Sequence, residues 1–156
     1  MPLEKSVWDV MDDNFITVTP ETPLKEACAL LTDHSRGKLG DLGLVVSRSS
    51  EEYIGLLTVK DILRYVIFLY KRSKSEGEPE NWLDQIRTGY EDDSLITVND
   101  VLVRFEVFVQ PNQKLLEVIK EMEDQGTEII PVSNAGKIIG VVRQSDILSE
   151  ITRMLK

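Results

Sequence analysis

Cysteine and histidine are almost missing from this chain, with Cys28 and His34 the sole examples among its 156 residues. A lone cysteine makes no internal disulfide, and one histidine gives neither a metal cluster nor a nucleophile with its base. Cys28 stands in "LKEACALL", a pattern that suits a small buried apolar side chain better than a reactive thiol. Long apolar runs are missing too. The longest, Tyr65 to Tyr70, is far below the roughly 20 residues of a membrane-spanning helix. The opening "MPLEKSVWDV" has neither the basic start nor the apolar stretch of a secretory signal, so a cytoplasmic address is expected. Positive charge is in deficit, with 18 Lys and Arg against 27 Asp and Glu and a net charge of -9. That field repels nucleic-acid backbones and anionic membranes at long range, and neither is expected as a partner. Small anions stay compatible, because a few donors at a helix start hold a phosphate locally.

What the chain does contain is one unit twice. "GLLTVKDIL" (Gly55 to Leu63) returns as "GVVRQSDIL" (Gly140 to Leu148). With Pro20 laid over Pro111, "FITVTPETPLKEACALL" matches "EVFVQPNQKLLEVIKEM", and "VWDVM" from Val7 matches "VNDVL" from Val98. Each copy reads as a short helical turn, an extended piece ended by proline, an amphipathic helix, two strands and a last helix. Leu115, Val118, Ile119 and Met122 make one apolar stripe; Leu24, Ala27, Leu30 and Leu31 make its counterpart. Thr22 before Pro23 is expected to cap the first of these helices. Ile129 to Val142 reads as a hairpin turning at "NAG".

The unit is therefore β-α-β-β-α, and a unit of about 60 residues buries only about 60% of its unfolded surface. Two copies sharing a core are expected, in a mixed α+β fold. The boundaries are a first repeat at 1–70, a charged insertion at 71–97 and a second repeat at 98–156. Gly77 and Pro79 punctuate the insertion. The preceding helix is expected to run on through Ser73, and Trp82, Leu83 and Ile86 suggest a short docking turn.

Chemistry concentrates where the second strand of each copy meets its last helix. Thr58 and Asp61 read first as a helix cap. That role does not require the aspartate to recur, yet Asp146 keeps its place while Arg143 replaces the threonine. A carboxylate just inside a helix start also suits the two hydroxyls of a ribose, and the helix N-H groups suit a phosphate. Loss of such a carboxylate is expected to weaken binding about 10- to 150-fold with little change in unliganded stability. Arg143 has two readings, a cleft-facing group that pairs with phosphate or fills the space, and a side chain reaching solvent. Arg36 and Lys38 in "HSRGKLGDLG" read either as phosphate partners or as surface charge.

The order of parts, with GxxTxxD in one copy and "PVSNAGKIIGVV" leading to Asp146 in the other, resembles a pair of CBS (cystathionine beta-synthase) domains, the Bateman module. The resemblance implies two repeats about a pseudo-twofold axis with two clefts. It implies a regulatory sensor of adenosyl compounds, AMP, ADP, ATP or S-adenosylmethionine, with no covalent cofactor, and commonly a homodimer. Carried over, Thr58 lies on the phosphate side and Asp61 on the ribose side. Ile16, Thr17 and Val18 line the base, and Leu44 and Val45 offer backbone to it. In the second copy the equivalents are Val107, Phe108 and Val109, then Ile130, Pro131, Arg143 and Asp146. A separate effector protein is expected to carry the output. The competing reading is a dimerisation module with no nucleotide, supported by the broadly apolar helix "ILRYVIFLYK". An enzyme has no support in any motif.

Overall fold

A computed structural model describes residues 4–34, 43–49, 52–75 and 96–156. After a short 3-10 turn at Val7–Asp9 come β1 (Thr17–Val18), α1 (Leu24–His34), β2 (Gly43–Ser49), β3 (Glu52–Thr58) and α2 (Val59–Ser75). The second half holds α3 (Val98–Val101), β4 (Arg104–Phe105), α4 (Leu115–Gln125), β5 (Ile129–Asn134), β6 (Lys137–Arg143) and α5 (Gln144–Met154). The fold is the expected mixed α+β pair of β-α-β-β-α repeats. Leu115, Val118 and Met122 form the buried stripe of α4, and Gly126, at φ 63, closes that helix. The β5–β6 hairpin turns at Ala135 and Gly136, both with positive φ, as a two-residue turn between twisted strands requires. Helix α2 runs two residues beyond Ser73. Thr22 does not cap α1: its hydroxyl accepts the Thr19 N-H at 3.1 Å, as the Gln113 side chain accepts the Gln110 N-H at 2.6 Å in the second copy. Trp82, Leu83 and Ile86 lie outside the described residues, as do Arg36 and Lys38 and the side chain of His34.

The two copies exchange their opening turns. Val7 donates to the Gln113 carbonyl and Trp8 to that of Pro111, while Val98 donates to Thr22 and Asn99 to Pro20. In the register that lays Pro20 over Pro111, these are the same bonds made in opposite directions. Leu24 to Ile96 and Leu115 to Lys5 repeat the pattern, as do the bridges Ser6 to Lys114 and Pro23 to Thr97. This reciprocity is the pseudo-twofold relation written in hydrogen bonds.

The exchange also builds the sheets. The first has the order β1-β2-β3-β4, so its last strand comes from the second half of the chain. Strands β5 and β6 are flanked in the same way by bridges from Val109 and from Asp12. The repeated glycine of the opening motif follows from this geometry. A Cβ on Gly55 would lie 2.4 Å from the Arg104 carbonyl oxygen, and one on Gly140 2.9 Å from that of Asp12. Each glycine lets the incoming segment approach its sheet.

Packing follows the same exchange. Ile96, Val98, Val101 and Leu102 are buried with Leu24, Leu31, Leu57 and Leu69 in the first core. Val7, with Val10 and Met11 beside it, joins Val118, Met122, Ile130 and Val142 in the second. A third cluster, Val45 and Leu56 against Ile129, Ile138 and Val141, joins the two sheets. Lys5 fastens the first segment to α5 through Glu150 at 2.6 Å. The hydrogen bonds from Lys5 and then Arg153 hold that carboxyl below its ordinary value.

Candidate functional site

The recurrence of the aspartate has a local cause. At four helix starts an Asp in the third helical position returns its Oδ2 to the N-H of the residue before the helix. The pairs are Ser6 with Asp9 at 3.1 Å, Thr58 with Asp61 at 3.0 Å, Thr97 with Asp100 at 2.8 Å, and Arg143 with Asp146 at 3.0 Å. This is half of a capping box, and it satisfies a donor the helix leaves free. At α2 the box is complete, because the Thr58 hydroxyl accepts the Asp61 N-H at 3.3 Å.

Asp61 differs from the other three in what surrounds it. Its side chain is 0% exposed, with Arg104 Nε 3.2 Å from Oδ2 and Arg64 Nη1 3.7 Å from Oδ1. The second distance is an ion pair but too long for a hydrogen bond. Oδ1 is thus a buried acceptor with no hydrogen-bond partner, a condition that asks for an explanation in a folded protein. The surroundings also revise the expectation that Asp61 can be lost without effect on stability. The carboxylate caps α2 and neutralises a guanidinium that is only 10% exposed.

Arg104 and Arg64 line a cavity of about 400 Å³, with Lys60, Val103, Phe105, Val107, Gln125 and Gly126 completing its wall. That volume is in the range of small-molecule sites. Three elements meet here: the first turn of α2, the exchanged strand β4 and the end of α4. Asp61 lies behind Arg104. The charged side chains of the wall, Lys60, Arg64 and Arg104, are all cationic, and the partial positive charge of the α2 start adds to them.

The second cleft is built differently. Arg143 is 7% exposed, and its Nη1 donates to Asp12 Oδ2 at 2.9 Å. Its head does not reach solvent: the exchanged segment brings a carboxylate to Nη1, while Nε is buried without a hydrogen-bond partner. Asp146 is half-buried and holds the cap.

A larger cavity, about 670 Å³, lies elsewhere, lined in part by Trp8, Tyr53 and Phe108 with Glu52 and Glu106. Tyr53 and Phe108 meet edge to face at 6.5 Å, and the Tyr53 hydroxyl donates to the Val107 carbonyl at 2.6 Å. Burial, then Glu106, pushes the Tyr53 phenol well up. Its two carboxylates repel phosphate and none of its lining residues starts a helix, so the smaller cationic cavity is the better anion site.

The remaining sequence-derived residues are scattered. Leu44 and Ile130 are sealed in the two cores and Val45 lies between the sheets; Val18, Val107 and Val109 are buried as well. Pro131 is buried and offers its carbonyl to the Val109 N-H. Ile16 is half-buried and accepts from Val45, Thr17 is exposed, and Phe108 belongs to the larger cavity. Of these residues Val107 lines the cationic cavity itself; Asp61 stands behind it, bonded to Arg104, and Thr58 is bonded to Asp61. Sequence reading missed Arg64, which lies one turn along α2 from Asp61, and Arg104, Gln125 and Gly126, which come to the same cavity through the pairing of β4 with the first sheet and the bonds of Arg104 to the end of α4. Among the described residues no group of three His, Cys, Asp or Glu side chains is placed to hold a metal ion, and no helix is long and apolar enough to cross a membrane.

Comparison with known proteins agrees with this architecture. An uncharacterized protein of Methanocaldococcus jannaschii is 20% identical over 146 residues, 94% of this chain and 42% of that protein. The chain thus spans less than half the length of that relative. Among solved structures, an uncharacterized conserved protein from Pyrococcus horikoshii superposes with a TM-score of 0.67 at 22% identity, covering 100% of this chain and 98% of that one. CBSX2 in complex with AMP gives 0.68 at 19% identity, with 97% and 98% covered. The CBS domain of a bacterial CNNM/CorC family Mg2+ transporter in complex with ATP gives 0.64 at 20% identity, with 96% and 89% covered. The CBS domain family model matches residues 7–67 and again residues 96–153, so the chain belongs to the CBS domain family as a tandem pair.

Proposed function

We propose that this CBS pair is a regulatory module that senses an adenine nucleotide in the cationic cavity beside Asp61. The observation that carries the reading is the buried Asp61 Oδ1, an acceptor without a hydrogen-bond donor whose Arg64 ion pair lies at 3.7 Å, beside cationic groups suited to phosphate. A ribose hydroxyl supplies the missing donor. Lys60, Arg64 and the α2 start take the phosphates, and the backbone of the exchanged segment near Val103 to Val107 faces the base. Thr58, buried and bonded to the Asp61 N-H, braces the carboxylate. Related structures with bound AMP and ATP support the ligand class. The role is sensing without turnover, since a carboxylate that is buried, capped and ion-paired is poorly placed to shuttle protons. Output passes to a separate effector protein through a change in packing between the repeats, which requires that the ligand bind the two arrangements unequally.

Calorimetric titration with AMP, ADP and ATP tests this reading. Saturable one-site binding is expected, together with a rise in melting temperature; ligand at 100 times its Kd adds about 2.7 kcal/mol by mass action. No saturable heat and no shift with any of the three contradicts it.

The dimerisation reading is compatible and rests on a separate observation. Leu63, Ile67 and Phe68, all exposed, lie within two turns of α2, an apolar set larger than scattered surface residues explain. A second copy of this chain is the proposed cover. Sedimentation velocity is expected to give a dimer that Phe68→Glu converts to monomer; a monomeric parent removes the proposal.

A further inference from the structure

We propose that Arg104 selects the ligand's charge, because its guanidinium occupies Asp61 in the free chain and only a ligand carrying an anionic group can replace that contact. The proposal rests on the nucleotide reading of the same site. Arg104 is held at three points: Nε on Asp61 Oδ2 at 3.2 Å, one terminal nitrogen on the Gln125 carbonyl, and the other on the Gly126 carbonyl at 3.2 Å. It is an internal tenant of the cleft, fastened to the first repeat through Asp61 and to the end of α4 in the second.

A ribose diol needs both oxygens of the carboxylate. Oδ1 has no hydrogen-bond partner, only the Arg64 ion pair at 3.7 Å, but Oδ2 already accepts the Thr58 N-H and Arg104 Nε, so a diol displaces Arg104. A guanidinium this buried, once displaced, needs a new anion, since an unpaired buried charge is strongly unfavourable. A phosphate supplies one and a neutral nucleoside does not. A sulfonium ligand meets three cations, Lys60, Arg64 and Arg104. Because Arg104 bridges Asp61 of the first repeat to the Gln125 and Gly126 carbonyls of the second, the exchange that admits the ligand loosens a tie between the repeats. In the register of the duplication Arg104 corresponds to Asp13, an exposed residue of opposite charge, so the device belongs to one cleft and was not inherited by both.

The test compares ATP with adenosine by calorimetry at constant ionic strength for the parent, Arg104→Gln and Arg104→Lys. The parent is expected to prefer ATP by about 10- to 150-fold, the worth of one charge-assisted contact. Arg104→Gln is expected to narrow that ratio severalfold, chiefly by binding adenosine more tightly, and Arg104→Lys to keep it. Equal ratios in the parent and Arg104→Gln, with both ligands bound, overturn the role of Arg104 and leave the nucleotide reading standing. Absence of binding to any variant overturns the nucleotide reading and this inference with it. The Arg104 Nε-H resonance of the parent gives a check independent of substitution: it is expected to move on ATP saturation, and an unmoved signal at saturation contradicts the displacement.

Discussion

Asp61→Ala is expected to destabilise the unliganded protein by about 3 to 5 kcal/mol, the usual cost of removing one partner from a buried ion pair. Two losses combine. The helix start of α2 gives up its reciprocal cap, and Arg104, 10% exposed, keeps its charge without its carboxylate. For a chain of this length each kcal/mol moves the melting temperature by roughly 2 to 4 °C, so thermal melts are expected to shift by roughly 10 °C. Asp146→Ala supplies the comparison. That residue is half-buried and caps α5, so its loss is expected to cost about 1 kcal/mol. The double substitution Asp61→Ala with Arg104→Met is expected to recover part of the loss, since no charge is then left unpaired. A melt of Asp61→Ala within 1 °C of the parent contradicts the buried pair.

The second large effect concerns the exchange of segments. Removal of residues 1 to 12 takes Val7, Val10 and Met11 out of the second core and the Asp12 carboxylate away from Arg143. It also removes the backbone bonds from Val7 and Trp8 to the Gln113 and Pro111 carbonyls. One fully buried valine is worth about 1.5 to 3 kcal/mol, and stranding Arg143 costs a few more. The sum approaches the whole stability of an ordinary domain, about 5 to 15 kcal/mol. The truncated chain is expected to lose protection from hydrogen exchange across β5, β6 and α4 while β2 and β3 keep theirs. A peptide of residues 4 to 14 added in trans is expected to restore it. Parental protection in the truncated chain contradicts the assignment of this segment to the second core.

The element order was legible because it rests on local patterns: the 3.6-residue stripe of α4, the prolines before α1 and α4, and the two-residue turn at Ala135 and Gly136. Duplication reinforced each pattern by stating it twice. The exchange was not legible, because "VWDVM" looks the same whether it packs on its own repeat or on the other. Its trace was present in Gly55 and Gly140, whose need for close approach has meaning only once the approaching strand is known. The site was half legible for the same reason. Thr58 and Asp61 share a motif, whereas Arg104 reaches them from far along the chain, and its register partner Asp13 gave no hint of it. For Arg143 the sequence left two readings open, a cleft-facing group that pairs with phosphate or fills the space and a side chain reaching solvent, because Asp12, which meets its Nη1, arrives by the same exchange.

The account turns on Asp61 Oδ1 waiting for a hydroxyl donor. Calorimetric titration of the parent with ATP and with its 2′,3′-dideoxy analogue tests this most directly, since the two differ only in the ribose hydroxyls. The analogue is expected to bind about 10- to 150-fold more weakly, the equivalent of a hydrogen bond to a charged acceptor. Equal affinities for the two would mean that the carboxylate serves α2 and Arg104 alone.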